Sequence, residues 1–107
     1  MTIVFIGPDR GLGSALADRG ATVSRVDGIG SGEALRAAGV EDAELLVLTD
    51  VGEATAVPVA LELNPSLRVV VYAPDTLPEF VRGQVDLAVS PDVLEASVVA
   101  EELTDPA

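Results

Sequence analysis

The sequence predicts an α/β three-layer sandwich: a five-stranded parallel sheet of order 2-1-3-4-5 with helices on both faces. Three observations predict it. Apolar runs of strand length alternate with helix-period segments five times along the chain. The strand candidates are nearly continuous in Val, Ile and Leu, as strands buried on both faces are. Right-handed crossovers in a short chain then leave few strand orders to choose among. With 107 residues the chain fits a single domain, 1–107, with no repeat and no linker.

The elements follow in order. A first strand is expected at 2–6, ended by Gly7, and a glycine loop opens a helix at 11–19. A strand at 22–26 leads through a glycine-rich turn (Gly28, Gly30) to Ser31, the expected cap of a helix at 32–38. A strand at 44–48 precedes a helix at 51–63, where Asp50 and Glu53 have capping-box spacing. Pro58 falls inside that helix, where a lost hydrogen bond costs about 3 kcal/mol, so an irregular first turn is expected near 53–57. A strand at 68–72 precedes a helix at 77–82, with Thr76 and Glu79 again at capping-box spacing. The last strand, 86–89, leads to a helix at 91–103, with Ser90 as its cap and Pro91 in its first position.

Composition excludes much chemistry. There is no Cys, no His and no Lys, so thiol nucleophiles, Ser-His-Asp triads, Schiff bases, Walker-type phosphate lysines and the usual zinc ligands are ruled out. Eighteen acids against six arginines give a net charge of −12 and a pI near 4.1. That charge repels a nucleic-acid backbone, and only Phe5, Tyr72 and Phe80 could stack on bases. The longest uncharged runs are eight residues, such as 54–61, against the roughly 20 a membrane helix needs, and no basic leader is present. A cytoplasmic protein without membrane insertion is expected. The acidic excess has two readings, an interaction surface or adaptation to molar salt; the acids are spread along the whole length, which favours the second, where the screening length falls to about 3 Å.

Order 2-1-3-4-5 puts a topological switch between the first and third strands, and ligands of open α/β sheets bind beyond the carboxyl ends there. The loops at that place are Gly7-Pro8-Asp9-Arg10-Gly11-Leu12-Gly13 and the segment beginning Thr49-Asp50. The first has the setting of a phosphate loop, after an apolar strand and opening a helix. Its glycines permit a tight turn, and backbone amides can face a diphosphate. Asp27, twenty positions after Gly7, stands where a carboxylate accepts from both ribose hydroxyls of an adenosine. The candidate cofactor-binding residues are therefore Gly7, Asp9, Arg10, Gly11, Leu12, Gly13, Asp27, Thr49 and Asp50. Against this, the glycines could serve only helix packing and Asp27 a turn. Asp9, Asp27, Asp50 and Asp75 all fall near this edge with Arg10 the one nearby cation, so a diphosphate would need Mg²⁺ or high salt. Asp50 and Asp75 also suit helix caps. Asp50 ends a central strand, as a receiver phosphoacceptor does, but the paired acid and the lysine of a receiver are missing.

Residues 1–93 resemble the N-terminal Rossmann lobe of the RCK domains, nucleotide-sensing regulators of potassium channels and transporters. The resemblance is carried by Ile3-Val4-Phe5-Ile6-Gly7, Val26-Asp27 and Ala43-Glu44-Leu45-Leu46-Val47-Leu48-Thr49-Asp50. It continues in Leu63-Asn64-Pro65-Ser66-Leu67-Arg68-Val69-Val70 and Val85-Asp86-Leu87-Ala88-Val89-Ser90-Pro91. Four departures stand out: the family's third strand with its Gly-Asp-Ala motif has no counterpart, and the glycine loop is one residue longer. Ala73 or Pro74 replaces the phosphate-facing arginine, and a stand-alone relative without the ligand-sensing lobe is expected. The chain is also similar to short haloarchaeal proteins labelled CTP synthetase, an activity that a chain lacking Cys, His and Lys does not support. The resemblance implies a non-enzymatic module binding NAD(H) or an adenine nucleotide, and it allows a homodimer. Two other readings stand beside it: an α/β scaffold or interaction domain without the ligand, and a small nucleotide-dependent enzyme subunit.

Overall fold

The computed structural model describes residues 1–26 and 30–105. Its five strands are β1 (Thr2–Ile6), β2 (Thr22–Val26), β3 (Leu45–Leu48), β4 (Arg68–Tyr72) and β5 (Leu87–Val89), all parallel, in the order β2-β1-β3-β4-β5. Four α-helices accompany them: α1 (Leu12–Asp18), α2 (Gly32–Ala37), α3 (Ala56–Leu63) and α4 (Ala96–Thr104). The expected architecture and strand order are those observed.

Alternation along the strands builds two cores. Val4, Ile6, Leu46, Leu48, Val69 and Val71 point to the face covered by α2 and α3. Ile3, Phe5, Leu45, Val47, Val70 and Tyr72 point to the other, against α1 and α4. Every side chain of β3 is buried. A fully buried Leu or Ile contributes about 1.5–3 kcal/mol, so the central strands hold the sheet, and the polar edges do not need to.

The expected caps are met in part. Ser31 Oγ accepts from Ala34 N–H at 3.2 Å and starts α2 as expected. Asp50 accepts from Gly52 N–H at 2.9 Å. The segment after it forms a short 3-10 turn, Val51–Glu53, and α3 begins only at Ala56. Pro58 thereby occupies the third position of α3, where no helical acceptor precedes it, and the interior-proline cost is avoided.

Two helices differ from expectation. The 77–82 segment is a 3-10 helix, Glu79–Gln84, preceded by Pro78 and not by a Thr76 cap. Proline disfavours a helical residue before it, so Leu77 cannot open a helix and Thr76 is out of capping position. The last helix starts at Ala96, five residues later than expected. Ser90 closes a turn instead, with Oγ accepting from Asp92 N–H and the carbonyl accepting from Val93 and Leu94. The Leu94 carbonyl, which a continuing helix would use, accepts from the Tyr72 hydroxyl at 2.7 Å.

Candidate functional site

Strand register sets the site. Ile6 lies beside both Val26 and Leu48, so the chain leaves β1, β2 and β3 at one level, and Gly7 and Thr49 emerge together. Asp27 lies outside the described residues. The β1–α1 loop is tightly formed, with left-handed backbone at Gly7 (φ 110), Arg10 (φ 50) and Gly11 (φ 79). Gly7 is required twice over. Its φ disfavours any side chain, and a Cβ there would collide with Thr49 Oγ1 and come within 3.0 Å of the Asp50 backbone nitrogen.

The loop's polar groups are satisfied from within the chain. Thr49 is fully buried, and its hydroxyl donates to the Pro8 carbonyl at 2.6 Å. Arg10 Nε donates to the Thr49 carbonyl at 2.8 Å, which holds Arg10 in its left-handed conformation. At the start of α1, Leu12 and Gly13 N–H donate to the Asp9 carbonyl at 2.9 and 3.4 Å. The Asp9 carboxylate accepts from Ser14 N–H at 3.4 Å and Ser14 Oγ at 3.2 Å, and its other oxygen is paired with Arg25. The Asp9 carboxylate thus meets the Ser14 amide at the start of α1, while the Leu12 and Gly13 amides turn back to the Asp9 carbonyl. Leu12 is buried against the sheet and is a core residue.

Arg25 corrects the expectation that Arg10 is the one cation near this edge. From β2 its guanidinium reaches across Phe5, 5.0 Å from the ring centroid, to Asp9. Sequence reading passes over Arg25 because a lone arginine on an edge strand reads as a solvated face. Its pairing with Phe5 in the β1–β2 register is the signal that could have found it. Gly13 makes room for the pair: a Cβ there would overlap Asp9 Oδ1 and Arg25 Nη2. Burial pushes the Asp9 carboxyl up, but Arg25 and the Ser14 hydrogen bonds outweigh it, and the group ionises below the ordinary carboxylate range. The residues present therefore do not fit a dinucleotide diphosphate as they stand, since the space against Gly13 is filled.

Of the acids expected near this edge, Asp27 lies outside the described residues, and the others take separate places. Asp50 serves as a cap, whereas Asp75 caps nothing and lines a separate cleft. Among the described residues no three acids are close enough together to hold a metal ion. That cleft, about 470 Å³, opens beside the carboxyl ends of β4 and β5, with Val71, Ala73, Leu77, Arg82 and Val89 among its walls. No motif in the sequence marks it. No helix among the described residues is long and apolar enough to cross a membrane.

Residues 3–103 match a family of unknown function (DUF7126). The chain belongs to this family. No curated protein matches the sequence. Two solved structures share the fold of this DUF7126 chain. A pilus assembly-related protein of Burkholderia pseudomallei K96243 superposes with a TM-score of 0.68 at 19% identity, over 96% of this chain and 86% of that one. A pilus assembly protein (cpaE) of Burkholderia thailandensis E264 gives a TM-score of 0.65, also at 19% identity, over 95% and 93%. At that identity the likeness is one of fold alone.

Proposed function

We propose that this DUF7126 chain is a non-enzymatic α/β interaction module: it keeps the frame of a nucleotide-binding domain, closes its glycine loop with its own side chains, and works by docking to another protein. The observation that carries the reading is the placement of Asp9. A phosphate loop needs amides and a cation that face the ligand. Here the amides of Leu12, Gly13 and Ser14 are taken by Asp9, which also holds Arg25, while Arg10 Nε is held by Thr49. An incoming diphosphate would have to expel a carboxylate that is paired with Arg25 and accepts from Ser14. Both fold neighbours are named for pilus assembly, which makes components of protein assemblies a first class of partner to try.

One observation favours a second reading, the NAD(H) or adenine-nucleotide regulatory module that the RCK resemblance implies. The left-handed loop of Gly7, Arg10 and Gly11 stands at the topological switch, the place where such ligands bind. In that reading Asp9 swings out, Arg25 turns to the phosphates, and Asp27 takes the ribose.

Thermal melting in 2 M salt with NAD, NADH, ATP, AMP and CTP, each with and without Mg²⁺, separates the two. A site at ligand concentrations 100-fold above Kd adds about 2.7 kcal/mol, which in a chain of this size raises Tm by roughly 10 °C or more. The interaction module predicts no shift with any nucleotide. A shift that disappears in Gly11→Asp would replace it with the nucleotide module.

A further inference from the structure

The β5 end of the sheet is built unlike the rest. On the face shared with α2 and α3, the crossover before β5 is only the 3-10 helix Glu79–Gln84, too short to cover the strand. On that face Ala88 is consequently exposed; Leu87 and Val89, which turn to the α1 and α4 side, are half-buried, whereas every side chain of β3 is buried. The cleft of about 470 Å³ lies along it. Among the described residues, four of the five exposed large apolar side chains, Phe80, Val93, Leu94 and Val98, belong to the segments flanking β5.

β5 is also an edge strand, bonded to β4 alone. Asp86 N–H donates inward to the Val69 carbonyl at 2.9 Å, so alternation along the strand turns the next amide, that of Leu87, outward. An outward amide beside a cleft of mixed polar and apolar lining is what an added strand uses: main-chain bonds supply affinity, and alternate side chains enter the cleft.

Charge selects the occupant. Residues 75–95 carry five acids, Asp75, Glu79, Asp86, Asp92 and Glu95, against Arg82 alone. Arg82 Nε is itself bonded to the Leu77 carbonyl. A second copy of this chain would bring a further −12 against this edge, so the edge is guarded against self-pairing while remaining attractive to a cation. We propose that β5 and its cleft receive an extended, basic segment of a partner protein, alternating apolar and cationic residues, as a sixth strand. The proposal rests on the interaction-module reading and names its surface.

The test uses the full chain, ¹⁵N-labelled, and a capped hexapeptide of alternating arginine and valine. Two comparison peptides accompany it: the same sequence with glutamate for arginine, and the basic peptide N-methylated at alternate residues. The basic peptide is expected to shift the Leu87, Ala88 and Val89 amides, to slow hydrogen exchange at Leu87, and to bind at least 10-fold more tightly than either comparison peptide. An Asp75→Asn, Glu79→Gln, Asp92→Asn variant, altered only at exposed positions, should weaken it about 10-fold. Equal binding of the N-methylated peptide, shifts spread over the whole acidic surface, or no binding at 1 mM would overturn the proposal. The nucleotide melting series judges the interaction module separately, so the two failures are distinguishable.

Discussion

The two halves of the sheet's carboxyl edge meet solvent in opposite ways. At the β1–β3 switch the loops lock together: Thr49 holds Pro8, Arg10 holds Thr49, and Asp9 holds both Ser14 and Arg25. At β4–β5 a full crossover helix is missing, a cleft stays open and apolar side chains face outward. The motif that resembles a ligand site is thus the closed half, and the half with no motif is the open one. A glycine loop can keep the backbone shape of a phosphate loop while its own side chains do the hydrogen bonding.

Substitutions in the closed half should be costly in proportion to how tightly it is locked. Gly7→Ala should have the largest effect, about 3 kcal/mol or more by chemical denaturation, because left-handed strain adds to a collision with Thr49 and the Asp50 backbone. Thr49→Val keeps the shape but removes the donor to the Pro8 carbonyl, and a loss of about 1–3 kcal/mol is expected.

The Asp9–Arg25 pair is partly exposed, so Arg25→Gln should cost under about 1 kcal/mol at neutral pH. Its pH dependence is more telling. The folded-state pKa of Asp9 lies below the unfolded value near 3.9, so the pair's contribution is fully present above about pH 4 and is lost as pH falls through the folded value. The stability difference between wild type and Arg25→Gln should therefore be flat above about pH 4 and shrink below it. In the open half, Phe80→Ser combined with Val93→Ser should stay within about 0.5 kcal/mol, since both side chains are already in water. A larger loss there would break the contrast between the two halves.

The fold was legible because its signals are redundant. The apolar strands, their spacing and the right-handed crossovers each point to order 2-1-3-4-5, and all five strands lie where their apolar runs do. Local hydrogen-bond signals carried less. Ser31 caps α2 as expected, but Asp50 caps only a short 3-10 turn, Glu53 accepts from Gly30 N–H and not from Asp50, and Ser90-Pro91 forms a turn whose Leu94 carbonyl accepts from Tyr72, 18 positions before Ser90. Thr76 fails for a nearer reason, the proline two residues on. At the glycine loop the sequence marks the backbone shape through Gly7 and Gly11, but not what fills it. Asp9 looks like an added repulsion until Arg25 is brought across Phe5, a contact that exists only once β1 and β2 are paired. The cleft at β5 is invisible for the converse reason, since it arises from the shortness of a crossover segment.

The central claim, that the β1–α1 loop is closed by its own side chains, is tested most directly by titrating the ¹⁵N-labelled chain with millimolar NAD, with and without Mg²⁺, in 2 M salt. The resonances to follow are the Leu12, Gly13 and Ser14 amides and the Arg25 side chain. Closure predicts no saturable shift at any of them. A saturable shift of all four, with Arg25 leaving Asp9, would contradict it.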